Sequence, residues 1–137
     1  MPARKGEMTK SIVIIDDDPV LLEDLAEVLR SEGYAVHTAM DGARGLDLIL
    51  GVCPDLIVSD RSMTPVSGFA VLMTLRTQHP ELRSIPFVFL TALSDPRDMQ
   101  AVADLSPTAY WLKPVDYAEL VERISRLIGP GRDSVVA

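Results

Sequence analysis

Five side chains with chemistry to offer recur at equivalent places along the chain: Asp16, Asp17, Asp60, Thr91 and Lys113. Asp16 and Asp17 follow the apolar run 12–15, Asp60 follows 56–59, Thr91 closes 87–90, and Lys113 follows 109–112. Two carboxylates about 4 Å apart repel by roughly 4 kcal/mol at an effective dielectric near 20. Three gathered at one crevice need a cation or a proton, and a magnesium ion suits them because it prefers carboxylate and water oxygens. An ammonium such as Lys113 can pair with Asp60 and later with a phosphoryl oxygen, to which the Thr91 hydroxyl can also bond. Taken singly, each has a plainer reading. Acidic runs at strand ends are often polar loops or helix caps, as Asp18 is here, with Asp16 and Asp17 as solvated neighbours. Most lysines are surface lysines, and a threonine closing an apolar run is usually an ordinary β-branched strand residue. The set is harder to explain by folding needs alone.

The elements that must position these groups are legible in the hydrophobic pattern. Residues 12–15, 34–38, 56–59, 87–90 and 109–112 read as strands, most of them near-continuously apolar, as expected for a parallel sheet covered on both faces. The second, which holds His37 and Thr38, is more polar and suits an edge. Between the strands lie helical segments with start and stop signals. Asp18-Pro19 opens a helix that turns Leu21, Leu22, Leu25, Val28 and Leu29 inward and ends at Gly33. Asp41 caps a second helix bearing Ala43, Leu46, Ile49 and Leu50. Ser67 or Gly68 starts a third with Phe69, Leu72 and Leu75 on one face. Asp95-Pro96 starts a fourth with Met99 and Val102 inward. Asp116-x-x-Glu119 is a capping box for a fifth, which buries Leu120, Val121, Ile124, Leu127 and Ile128 and stops at Gly129-Pro130. This is a (βα)5 pattern, and right-handed crossovers then give an α/β fold with helices on both faces of the sheet. In such sheets ligands bind beyond the carboxyl ends of the strands, where four of the five carry one of the groups named above.

Composition narrows the function. The 137 residues fit one domain, read here as residues 10–129 with a flexible leader, 1–9, and a flexible tail, 130–137. A net charge of −7 and the lack of a basic stripe argue against nucleic-acid binding by this domain. No apolar run reaches the ~18 residues of a membrane span, and the first residues lack the apolar segment of a signal peptide. The single cysteine, Cys53, cannot form an internal disulfide, so the cytoplasm is the default location.

With these motifs in order, the chain resembles the receiver domains of response regulators, as in chemotaxis and other two-component signalling. The resemblance rests on Ile12-Val13-Ile14-Ile15-Asp16-Asp17-Asp18-Pro19, Pro54-Asp55-Leu56-Ile57-Val58-Ser59-Asp60, Phe89-Leu90-Thr91-Ala92 and Tyr110-Trp111-Leu112-Lys113-Pro114. The spacings from Asp60 to Gly68 and from Thr91 to Lys113 match as well. The resemblance implies a flavodoxin-like, doubly wound parallel sheet with strand order 2-1-3-4-5. It implies Asp60 as phosphoacceptor, and Asp16, Asp17, Asp60 and the backbone carbonyl of Ser62 as ligands of Mg2+, for which Mn2+ can substitute. Thr91 and Lys113 would contact the phosphoryl group. Thr91 and Tyr110 would be the switch residues that reshape the surface of the fourth helix, fifth strand and fifth helix. The implied partners are a sensor histidine kinase or histidine phosphotransfer protein, a downstream protein target and, in some cases, a second copy of the chain. Such a domain is a signalling phosphoprotein rather than an enzyme, since it catalyses only its own phosphorylation and dephosphorylation.

Some residues depart from the family pattern. Met63-Thr64-Pro65 displaces by one the proline expected after Met, Arg61 is bulky and charged beside the acceptor, and Leu93 is apolar where rapidly dephosphorylating relatives have an acid or amide. Two other readings remain open. A phosphorylation-independent interaction module would be marked by loss of Asp60, the acidic pair or Lys113, all of which are present. A magnesium-dependent phosphohydrolase needs a second acid as proton donor and a substrate cap, for which 137 residues leave little room.

Overall fold

The apolar runs form one sheet in the computed structural model, which describes residues 9–61, 63, 65–92, 100 and 105–131. Its strands are β1 (Ser11–Ile15), β2 (Ala35–Ala39), β3 (Leu56–Ser59), β4 (Phe87–Thr91) and β5 (Ala109–Leu112). All neighbours run parallel, in the order β2-β1-β3-β4-β5. The four α-helices among the described residues are α1 (Pro19–Ser31), α2 (Gly42–Val52), α3 (Gly68–Gln78) and α4 (Tyr117–Ile128). A short 3-10 turn, Pro80–Leu82, follows α3. The helix expected to open at Asp95-Pro96 lies outside the described residues.

Alternation along the strands divides the core into two layers. Ile12, Ile14, Val58 and Leu90 face Leu25 and Leu29 of α1 and Leu120 and Ile124 of α4. Val13, Ile15, Ile57, Phe87 and Phe89 face Ile49 of α2 and Leu72 and Leu75 of α3. The helix starts are set by side-chain caps that satisfy orphan N–H groups. Asp18 accepts from Val20 and Leu21, Asp41 from Arg44, Ser67 from Ala70 and Asp116 from Glu119. The Glu119 carboxylate pairs with Arg123.

One face was misread from sequence. In α2, Ala43 and Leu50 are exposed; Gly45 and Ile49 face the sheet, while Gly42 packs against Val66 and Val71. A Cβ on Gly45 would come within 2.3 Å of the Ile15 side chain, so the helix lies closer to β1 than any larger residue allows. The more polar β2 is an edge strand, as its composition suggested, and the Arg30 guanidinium donates to the Val36 carbonyl at 2.8 Å. Beyond α4 the chain turns back under the sheet. Tyr34 Oη donates to the Gly129 carbonyl, and Lys10 N to that of Gly131.

Candidate functional site

Strand pairing continues one residue past the carboxyl edge of the sheet and fixes the backbone of the site. Asp16 N donates to Ala39 O at 3.1 Å, Asp60 N to Ile15 O at 2.9 Å, and Lys113 N to Thr91 O at 2.9 Å. Because Ile15 is in register with Ser59, and Thr91 with Leu112, the next residues on each strand come side by side. Asp16, Asp60, Thr91 and Lys113 therefore gather at one end of the sheet. One carboxylate oxygen each from Asp16, Asp17 and Asp60 lies within 4.8 Å of the other two. Asp16 is 2% exposed, Asp60 9% and Thr91 1%, whereas Asp17 faces solvent.

Lys113 Nζ lies 2.8 Å from Asp16 Oδ2 and 3.5 Å from Asp60 Oδ2. The expected pairing with Asp60 is thus shared, and the tighter contact goes to Asp16. The reason is burial, since the more deeply buried carboxylate loses most hydration and gains most from a nearby cation. Asp16 Oδ1 also accepts from Asp18 N at 2.9 Å. Burial still pushes the Asp16 carboxyl above the usual carboxylate range, against the pull of Lys113 and the Asp18 N–H. For Lys113, burial works downward, but the hydrogen bond and charge of Asp16, with Asp60 adding, hold it above the ordinary lysine value.

Two supporting residues had no role at the site assigned from the sequence. Ser59 Oγ donates to the Asp60 carbonyl at 2.8 Å, and that carbonyl rests against Gly68, where a Cβ would sit 1.9 Å from it. The fixed spacing from Asp60 to Gly68 was the available signal, but it named no contact. Tyr110 lies half-buried in β5 with its ring centroid 5.9 Å from that of Phe89. Ser62 and Leu93 fall outside the described residues. The lysine–proline bond after β5, Lys113–Pro114, is cis.

A parallel 2-1-3-4-5 sheet with an acidic cluster, a threonine and a lysine at its carboxyl edge defines a class, and comparison with known proteins gives the same one. Residues 12–125 match the response regulator receiver domain, and the chain belongs to that family. It is 36% identical over 117 residues to the DNA-binding dual master transcriptional regulator RpaA of Synechocystis, covering 85% of this chain and 48% of that protein. The chain thus spans about half the length of that relative. It is 30% identical over 122 residues to the polar-differentiation response regulator DivK of Brucella ovis, covering 89% of this chain and 98% of DivK. Among solved structures, Vibrio cholerae chemotaxis protein CheY4 superposes with a TM-score of 0.80 at 25% identity, covering 87% of this chain and 98% of that one. Receiver domains of this family are signalling modules that generally bind Mg2+ at an acidic pocket, and the all-oxygen donor set of Asp16, Asp17 and Asp60 fits that ion. No helix among the described residues is long and apolar enough to cross a membrane.

Proposed function

We propose that the chain is a phosphorylation-dependent switch that accepts a phosphoryl group on Asp60 from the phosphohistidine of a sensor kinase or phosphotransfer protein. The observation that carries this reading is the convergence of three carboxylates with one ammonium at the edge of the sheet. An Asp60 oxygen attacks phosphorus in line, the P–N bond breaks, and the imidazole leaves with the electron pair and takes up a proton. Such a transition state needs positioning and charge neutralisation more than covalent help. Asp16, Asp17 and Asp60, with the Ser62 carbonyl, would hold Mg2+, which when bound neutralises charge on the phosphoryl oxygens. Lys113 moves its ion pair from the carboxylates onto a phosphoryl oxygen, and the Thr91 hydroxyl donates to another. Thr91 and Tyr110 then pass the change to the surface around β5, where a downstream protein reads it as a population shift. The chain catalyses only its own phosphorylation and dephosphorylation, and works in the cytoplasm.

Incubation with acetyl phosphate and Mg2+, followed by intact mass, tests this reading. One labile phosphoryl group should be added to the wild type, and none to Asp60→Asn or in EDTA. A folded wild type that takes up no phosphoryl group, even from a phosphohistidine donor, would leave an interaction module in its place.

A further inference from the structure

The side chain immediately after the acceptor is engaged with the next helix. The Arg61 guanidinium lies over the Phe69 ring, with Cζ 5.2 Å from the centroid. Across the same gap, Gly68 N donates to Arg61 O at 3.1 Å. Arg61 and the start of α3 are thus tied by main chain and by side chain, directly beside Asp60. Further along, Met63 is buried in the core at 4% exposure and the Val66 carbonyl accepts from Gly42 N, so these two residues are anchored separately. A guanidinium stacked on an aromatic face gains electrostatically and loses few rotamers, so the contact holds Arg61 against the start of α3.

We infer that Arg61 and Phe69 form a clamp that positions Asp60 and the Arg61 backbone for metal binding. Arg61 is in this view a positioning residue, and the inference rests on the function proposed above. Two roles for Arg61 predict opposite signs. If its charge alone mattered, it would repel a divalent cation, so removing it would tighten Mg2+ binding while leaving Phe69 irrelevant. If the clamp matters, losing either partner loosens the site and weakens binding.

The test is a Mg2+ titration of the phosphoryl-free protein followed by amide NMR shifts, with thermal melts in parallel to verify folding. Arg61→Gln and Phe69→Leu should each weaken Mg2+ binding about threefold to tenfold, the range a cation–π contact of this kind supports. The double variant should bind no more weakly than the weaker single, and Arg61→Lys, which keeps a cation near the ring without the planar stack, should recover part of the loss. Tighter binding by Arg61→Gln, wild-type binding by Phe69→Leu, or additive losses in the double variant would overturn the clamp. If the wild type itself gives no saturable Mg2+ shifts around Asp16 and Asp60, the proposed function fails and takes the clamp with it. Saturation in the wild type with unchanged variants removes the clamp alone.

Discussion

Replacing Gly68 by alanine adds one methyl group at the most crowded point beside the site. Its Cβ would stand 1.9 Å from the Asp60 carbonyl oxygen and 2.6 Å from Ser59 Oγ, well inside the 3.0 Å below which real Cβ contacts are essentially never found. The nearest obstacle is backbone, so relief requires moving the start of α3 or the end of β3 rather than turning a side chain. Overpacking of this kind costs about 1–3 kcal/mol, and a backbone obstacle puts this case at about 3 kcal/mol. For a domain of this size that lowers the melting temperature by roughly 10 °C. Gly51→Ala is the matched control. It lies in α2 with nothing within 4 Å of a built Cβ, so the same substitution should stabilise by about 0.5 kcal/mol through helix propensity. Urea unfolding of both variants beside the wild type measures the two signs. A Gly68→Ala variant within about 0.5 kcal/mol of the wild type would refute the close packing of α3 on the Asp60 carbonyl.

Three further outcomes follow from the site. The raised Asp16 carboxyl holds its proton more readily folded than unfolded, so its contribution is most favourable below the usual value near 3.8 and is lost as pH rises through the raised one. Asp16→Asn should therefore melt higher than the wild type at neutral pH in EDTA and gain less from added Mg2+; a lower melting temperature in EDTA would contradict this. Lys113→Ala should slow phosphoryl uptake from acetyl phosphate at least tenfold, about 1.4 kcal/mol of transition-state stabilisation, and a rate near wild type would remove Lys113 from the mechanism. With the apolar Leu93 at the position where the family resemblance implies the water approaches, loss of the phosphoryl group should be slow, with a phosphoprotein half-life of seconds as the contrary result.

Much of this was legible in the sequence because buried parallel strands are written as short, nearly continuous apolar runs. β3 and β5 fall at the expected residues, β1 and β4 are each longer by one residue at one end, and β2 is shifted by one residue. The caps at Asp18, Asp41 and Asp116 were equally plain, since each is a small polar residue at the break in a helical pattern, and of the two starts open for the third helix the cap is Ser67. What stayed hidden depends on backbone packing. Glycines count as neutral in a hydrophobic pattern, so Gly45, which α2 turns to β1, was passed over, and Ala43 and Leu50 were read with Leu46 and Ile49 although both are exposed. The division of Lys113 between Asp16 and Asp60 depends on how deeply each carboxylate sits, which spacing does not encode. The contact of Arg61 with Phe69 likewise arises from how α3 docks after the strand ends.

The account stands or falls on the residue that carries the phosphoryl group. Labelling with acetyl phosphate and Mg2+, then reducing the acyl phosphate with borohydride and sequencing peptides by mass spectrometry, locates it directly. The account predicts homoserine at position 60 and at no other aspartate. Reduction at Asp16 or Asp17, or phosphoryl label on a residue borohydride leaves unchanged, would contradict it.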